Sequence, residues 1–318
     1  MKKNKILIAI LVSLVLLFVA TNYFKKTSKV NFKAEVIRLD ATQISKITIR
    51  PPSTANEEAI VLSKDNQTWH VEQGQVKTQA NQSSVKNALD QLEAIKTQQL
   101  VAKTKDKWAS YGLVDSLARC IEIQEQGKQE PTKIYLGKTV YKEPGSTTYG
   151  RRAAVNSVTY FRVNNDPQTY ALKSGITSIF KRKFNAWRNT EFIKVNKDQI
   201  TQLKFEANGN ETFSLSKNDE VWSMGAIAPD STKVVQYLNT LRYQSSSQFV
   251  DGFTPKGKAD FQLTVQGDSI ENLIVKAYQD STKQKFILNS SQHPNVFVES
   301  DSTGLFKRLF VSQEHFLK

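Results

Sequence analysis

Apolar and polar residues alternate through Ile44-Ser45-Lys46-Ile47-Thr48-Ile49, and again through Ile200-Thr201-Gln202-Leu203-Lys204-Phe205. A period of two predicts half-buried strands at both places. The segments align without a gap, and so do the stretches before them, Val36-Ile37-Arg38-Leu39-Asp40 and Phe192-Ile193-Lys194-Val195-Asn196. A second strand-like pair follows at Ala59–Leu62 and Thr212–Leu215. The chain then reads Leu-Ser-Lys-Asp-Asn-Gln-Thr-Trp at 62–69 and Leu-Ser-Lys-Asn-Asp-Glu-Val-Trp at 215–222. Asn and Asp tolerate the left-handed backbone of tight hairpins, so each stretch predicts a strand, a turn and a return strand. Trp69 and Trp222 begin the return strands, and their recurrence marks both as core rather than as a binding aromatic.

The period then changes to that of a helix. Behind a cap at Asn81 or Ser83, Val85, Leu89, Leu92 and Ile95 form one apolar stripe. Behind Asp230 or Ser231, Val234, Leu238 and Leu241 repeat the spacing of Val85, Leu89 and Leu92. Strand patterns resume at 119–123, 133–136, 149–155 and 159–163, and in the second half at 261–265, 273–277, 285–288 and 295–299. Each half closes on an apolar-basic helix, Ile179-Phe180-Lys181-Arg182-Lys183-Phe184 and Leu305-Phe306-Lys307-Arg308-Leu309-Phe310. The predicted fold class is α+β, a tandem duplication of a mainly antiparallel sheet-plus-helix domain. The first repeat covers 36–190 and the second 191–318.

Together with Tyr111-Gly112-Leu113 and Ile134-Tyr135-Leu136-Gly137, this order of elements resembles the bacterial "domain of unknown function 4340" family. The resemblance runs over nearly all of Val36 to Lys318. Members often carry an acidic residue and a Pro after the Tyr-Gly-Leu; here Asp115 and Ser116 follow Val114 and no Pro is present. The resemblance implies a bacterial envelope protein with one N-terminal anchor, whose relatives are often associated with ABC transporter components of the gliding-motility type. It implies no catalytic residues.

The N-terminal pattern agrees. Ile6 to Phe24 is almost wholly apolar, with Lys2, Lys3 and Lys5 before it and Lys25, Lys26 and Lys29 after it. That run matches the length a helix needs to span a bilayer, about 20 residues. It reads as a retained signal anchor at 6–24, behind a cytoplasmic tail at 1–5 and before a linker at 25–35. A cleavable signal peptide fits less well, because Phe18 stands where a small residue is wanted before a cut at Ala20. The expected location is the inner membrane, crossed once, with the large C-terminal region outside the cytoplasm.

Charge adds a partner class. Lys+Arg is 44 against Asp+Glu 30 over 318 residues, a formal +14. Such a balance favours anionic neighbours. The candidate contacts are Arg151, Arg152, Lys181, Arg182, Lys183, Arg188, Lys307 and Arg308, facing anionic lipid or an acidic partner. No nucleic acid is expected, because the anchor places the chain at a membrane.

Catalytic patterns are missing. His70, His293 and His315 have no partner at ligand spacing, so neither a metal nor another cofactor is expected. Gly137-Lys138-Thr139 lacks the earlier glycine of a phosphate loop, since Thr132 stands there, and reads as a turn after a strand. Cys120, the one cysteine, lies in an alternating stretch and reads as a buried, inert thiol. The expectation is a non-enzymatic accessory or scaffold subunit contacting an ABC-type transporter or another envelope protein. The alternative is a binding module for an anionic envelope polymer or glycan.

Overall fold

The computed structural model describes residues 13, 15, 18, 36–95, 99–142, 156–172, 175–280 and 284–317. The expected tail, anchor and linker lie outside these residues, apart from Ser13, Val15 and Phe18. Among the described residues no helix is long and apolar enough to cross a membrane. The chain is α+β and mostly sheet, and the strand pairings are antiparallel. By compactness it divides into two units, one of residues up to 64 with 86–182, the other of 65–85 with 183–318.

The first sheet contains β1 (Ile44–Arg50), β2 (Ile60–Asp65), β3 (Thr68–Gln73), β4 (Val76–Gln79), β5 (Gln99–Ala102), β6 (Arg119–Glu125), β7 (Thr132–Lys142), β8 (Asn156–Val163) and β9 (Thr169–Leu172). Its order is β4-β3-β2-β1-β6-β7-β8-β9-β5. Helix α1 (Gln82–Glu93) lies between β4 and β5 in sequence, and α2 (Ile176–Phe180) follows β9. The alternation read at Ile47 and Ile49 buries both side chains completely. Strand β9 is buried at all four positions and shows no alternation, so it carries no period-two signal.

The second half begins with β10 (Glu191–Lys194), which among the described residues forms a two-stranded sheet with β14 (Tyr243–Ser245). Its main sheet holds β11 (Ile200–Ala207), β12 (Asn210–Asn218), β13 (Val221–Ser223), β15 (Phe261–Gly267), β16 (Leu273–Asp280), β17 (Lys285–Ser290) and β18 (Phe297–Ser300). The order is β13-β12-β11-β15-β16-β17-β18. Helix α3 (Ser231–Leu241) follows β13, and α4 (Leu305–Leu309) follows β18.

Local details recur in both halves. Asn66 and Gln67 have φ of 45° and 80°, and Asp219 and Glu220 have 45° and 67°. Two successive left-handed residues are the mark of the type I′ turn, whose twist matches that of paired strands. The β1–β6 register shifts between Ile44 and Lys46, and the β11–β15 register between Ile200 and Gln202. The Asn81 carboxamide caps α1 through the Ser84 amide at 2.9 Å, and Asp230 caps α3 through Thr232 and Lys233. The Asn81 amide donates to the Trp187 carbonyl at 2.7 Å, and the Asp230 amide to the Phe316 carbonyl at 2.8 Å. Trp187 and Phe316 each end a 3-10 turn, and both are fully buried.

Three expectations need correction. Trp69 is 6% exposed, whereas Trp222, on the short strand β13, packs against the core of its half but is only half-buried, so the core reading holds for it in part. Gly137 lies within β7, at a register shift between Leu136 and Thr139, not in a turn after a strand. A Cβ there would sit 2.3 Å from the Tyr111 carbonyl oxygen, so the glycine allows two backbones to cross. Finally, α2 ends at Phe180, so Lys181-Arg182-Lys183 follows the helix and is not on its face. In the register set by the helix ends, the counterpart of Phe306 is Thr177, not Phe180.

Candidate functional site

The predicted basic contacts fall into different settings. Arg151 and Arg152 lie outside the described residues. Lys181 and Lys183 are exposed and Arg182 is half-buried. Lys307 and Arg308 are exposed neighbours on α4. Arg188 is different, being 3% exposed. Its guanidinium lies 3.7 Å from the Phe249 ring centroid, and NH1 meets Asp251 Oδ2 at 2.9 Å. A cation held this way is committed to the interior of its own unit, and the place for it as an anionic-partner contact is lost.

Arg308 is oriented rather than free. Its Nε donates to Gln244 Oε1 at 2.9 Å, and Gln244 Nε2 donates to the Thr240 carbonyl in the last turn of α3 at 2.7 Å. Arg308 borders a polar cleft of about 480 Å³ shared with Ser245, Ser247, Lys285, Glu299 and Asp301. A second cavity, of about 340 Å³, combines the rings of Phe205, Phe213, Phe261, Phe306 and Phe310 with a polar edge that includes Glu206 and Glu314. Both belong to the second unit.

Another arginine escaped sequence reading. Arg162 on β8 is 3% exposed and sandwiched between Tyr135, 3.3 Å from the ring centroid, and Trp108, at 4.0 Å. Its Nε donates to the Leu113 carbonyl at 3.0 Å and its NH2 to Asp115 Oδ1 at 3.0 Å. The acidic residue behind the Tyr-Gly-Leu therefore holds a buried cation. The Lys138 amide meets the Tyr111 carbonyl at 2.9 Å, at the crossing that Gly137 permits. The Arg162 guanidinium, Trp108 Nε1 and Lys138 Nζ all donate to the chain itself, which makes the corner architectural. Only a fixed strand alternation signalled Arg162, and an outward arginine on a strand reads as solvated.

Burial pushes the Cys120 thiol up to about 11, with Glu122 adding to it, so the thiol stays protonated and unreactive. Burial holds the Tyr237 phenol well above its ordinary range, and its hydroxyl donates to the Leu309 carbonyl at 2.6 Å. Among the described residues no group of three or more His, Cys, Asp or Glu is placed to hold a metal.

The class defined by these features is an α+β protein of mostly antiparallel sheet with architectural glycine and arginine corners. The model of the family described as "Domain of unknown function (DUF4340)" matches residues 69–265, more than half of the chain, and the chain belongs to that family. No curated protein and no solved structure matches it.

Proposed function

We propose that the chain is a tandem duplication of one domain on a single N-terminal membrane anchor, serving as a non-enzymatic accessory or scaffold subunit of an ABC-type transporter or similar envelope assembly. The observation carrying this reading is the repeated framework. The order β3-β2-β1-β6-β7-β8-β9 has the same sequence of hairpins and crossovers as β13-β12-β11-β15-β16-β17-β18. The paired I′ turns, the paired register shifts and the paired links from helix cap to buried aromatic support it as well. Independent origin would have to reproduce each of these details separately. Family membership and the lysine-flanked apolar run Ile6–Phe24 support the placement at an envelope membrane.

The test is affinity purification of the full chain from detergent-solubilised native membranes. The scaffold reading expects membrane and ATP-binding subunits of one transporter in stoichiometric recovery. Recovery of the chain alone under mild detergent overturns it. Topology is read separately: with Cys120 replaced by Ser and an exposed position such as Ser247 replaced by Cys, an impermeant thiol reagent labels intact spheroplasts if the domain is outside. Labelling only after lysis places it in the cytoplasm.

A further inference from the structure

The polar cleft beside α4 has a chemistry that the repeated framework does not require. In the register of the closing helices, Arg308 occupies the place of Ile179, which is 6% exposed and apolar. The arginine is thus an addition of the second half. Its Nε is fixed by Gln244, and Gln244 is fixed in turn by the end of α3. Among the described residues the NH1 and NH2 groups of Arg308 have no acceptor, so the outer edge of the fork is presented to solvent. A fork oriented in advance fits the two oxygens of a carboxylate or phosphate better than a mobile ammonium does.

The rest of the cleft limits what can carry that oxyanion. Lys285 is ion-paired with Glu299, so its charge is largely answered. Asp301 Oδ1 accepts from the Thr303 and Gly304 amides at 2.9 and 2.7 Å, which keeps this carboxylate fixed and ionised. Glu299 is answered in that same pair and Asp301 balances Arg308, so the cleft has no net charge to draw a ligand of high negative charge, while both carboxylates keep lone pairs. They also accept hydrogen bonds from hydroxyl groups, as do Ser245 and Ser247, which line the same cleft. A neutral polyol would leave the guanidinium edge unanswered, and a bare anion would leave the carboxylates and serines unanswered. The volume, about 480 Å³, admits one or two sugar rings.

We infer that the cleft formed by Arg308, Lys285, Glu299, Asp301 and Ser245–Ser247 is a binding site for a polyhydroxylated ligand bearing a single acid group, that is, an acidic sugar residue. This gives the anionic-polymer expectation a specific place, and it is independent of the scaffold reading. Gln244 is a positioning residue, acting through the Arg308 fork.

The experiment is calorimetric titration of the full chain in neutral detergent micelles with glucuronate, glucose 6-phosphate and glucose as probes. At least one acidic sugar should bind about tenfold more tightly than glucose, and the tighter of the two identifies carboxylate or phosphate as the group recognised. Arg308→Lys keeps the charge but removes the fork, and should erase that preference. Gln244→Ala should reduce the preference with an unchanged melting temperature, a split that a merely structural role would not give. Lys307→Ala, next along the same helix, should change nothing. Equal affinity for all three probes, no binding at millimolar concentrations, or a preference that survives Arg308→Lys would each overturn the site. The purification of transporter subunits reports on the scaffold reading alone, so the two failures are distinguishable.

Discussion

The two closing helices lie against equivalent strands, and the contact there is made in two different chemistries. Cross-strand partners fix the equivalence. Leu136 pairs with Phe161 as Ala277 pairs with Leu288, which places Thr159 of β8 opposite Phe286 of β17 in the comparison. In the first unit Thr159 meets Thr177 of α2 at 2.8 Å and Thr139 of β7 at 3.0 Å. Thr159 is fully buried. In the second unit Phe286 stacks on Phe306 of α4 with centroids 3.5 Å apart and planes 2° from parallel. Phe261 meets Phe306 edge-on at 5.2 Å, and Phe310 stacks on Phe306 at 5.1 Å with planes 23° apart. One framework is closed by three hydroxyls and the other by a ladder of rings. A hydroxyl pair contributes about 1 kcal/mol and demands fixed geometry. A fully buried ring contributes roughly 1.5–3 kcal/mol, and these partly buried ones less, but a ring asks only for shape. The framework therefore fixes where the helix lands, and leaves free what fills the contact.

The largest test of this contrast between the two halves concerns the hairpins. Trp69→Ala should cost about 3–5 kcal/mol in urea unfolding, because the ring is 6% exposed and clamped at its backbone by Gln82. Trp222→Ala, at a half-buried ring, should cost about half of that. Equal losses would mean that the two hairpins are sealed alike. Next comes Gly137→Ala, expected to cost about 3 kcal/mol and to lower only the first unit's transition, since the new Cβ meets backbone that cannot turn aside. Strand β16 pairs with β17 without such a shift, and the second unit's close approach falls instead at Gly267 of β15, where a Cβ would sit 1.9 Å from the Gln199 carbonyl oxygen.

Smaller effects bear on the helix contacts themselves. Phe306→Ala should destabilise the second unit by about 2 kcal/mol, and Thr177→Val the first by about 1 kcal/mol. A stabilising Thr177→Val would show that the hydroxyl network fixes geometry without adding stability. The smallest expected effect is one of pH. Burial, with the Lys233 ammonium adding to it, holds the His315 imidazole below its ordinary value of 6.5. The folded state therefore favours the neutral ring. Its contribution is complete above pH 6.5 and is lost as the pH falls through the lower folded value. His315→Gln should flatten the mild fall in the second unit's melting temperature over that window, and a curve of unchanged slope would exclude the ring as its source.

Much of this was legible from residue pattern. The strands at Ile47 and Leu203, the Asn and Asp turns, and the caps at Asn81 and Asp230 all follow local rules that tertiary packing did not override. Two kinds of feature were hidden. Strands β5, β9 and β14 are three or four residues long, too short to show a period. The likeness of Phe180-Lys181-Arg182 to Phe306-Lys307-Arg308 misphased the closing helices, because five-residue helices offer too few positions to fix a phase. The candidate cleft was legible only in part. Arg308 was visible as a basic residue, but Gln244, which aims it, lies 64 residues away in sequence, and its own bond to Thr240 has no pattern to mark it.

The crossing at Gly137 has a consequence for how relatives of this chain are recognised. A Tyr-Gly-Leu and a later Leu-Gly help to carry the family resemblance, and the second glycine is required because another carbonyl occupies the space of its side chain. The pattern is a steric footprint. Any chain that keeps this knot of backbone must keep the footprint, whether it carries a sugar, a protein or nothing. Grouping proteins by it sorts them by shape, and the differences that separate their errands have to be sought at positions such as 308, where the footprint is silent.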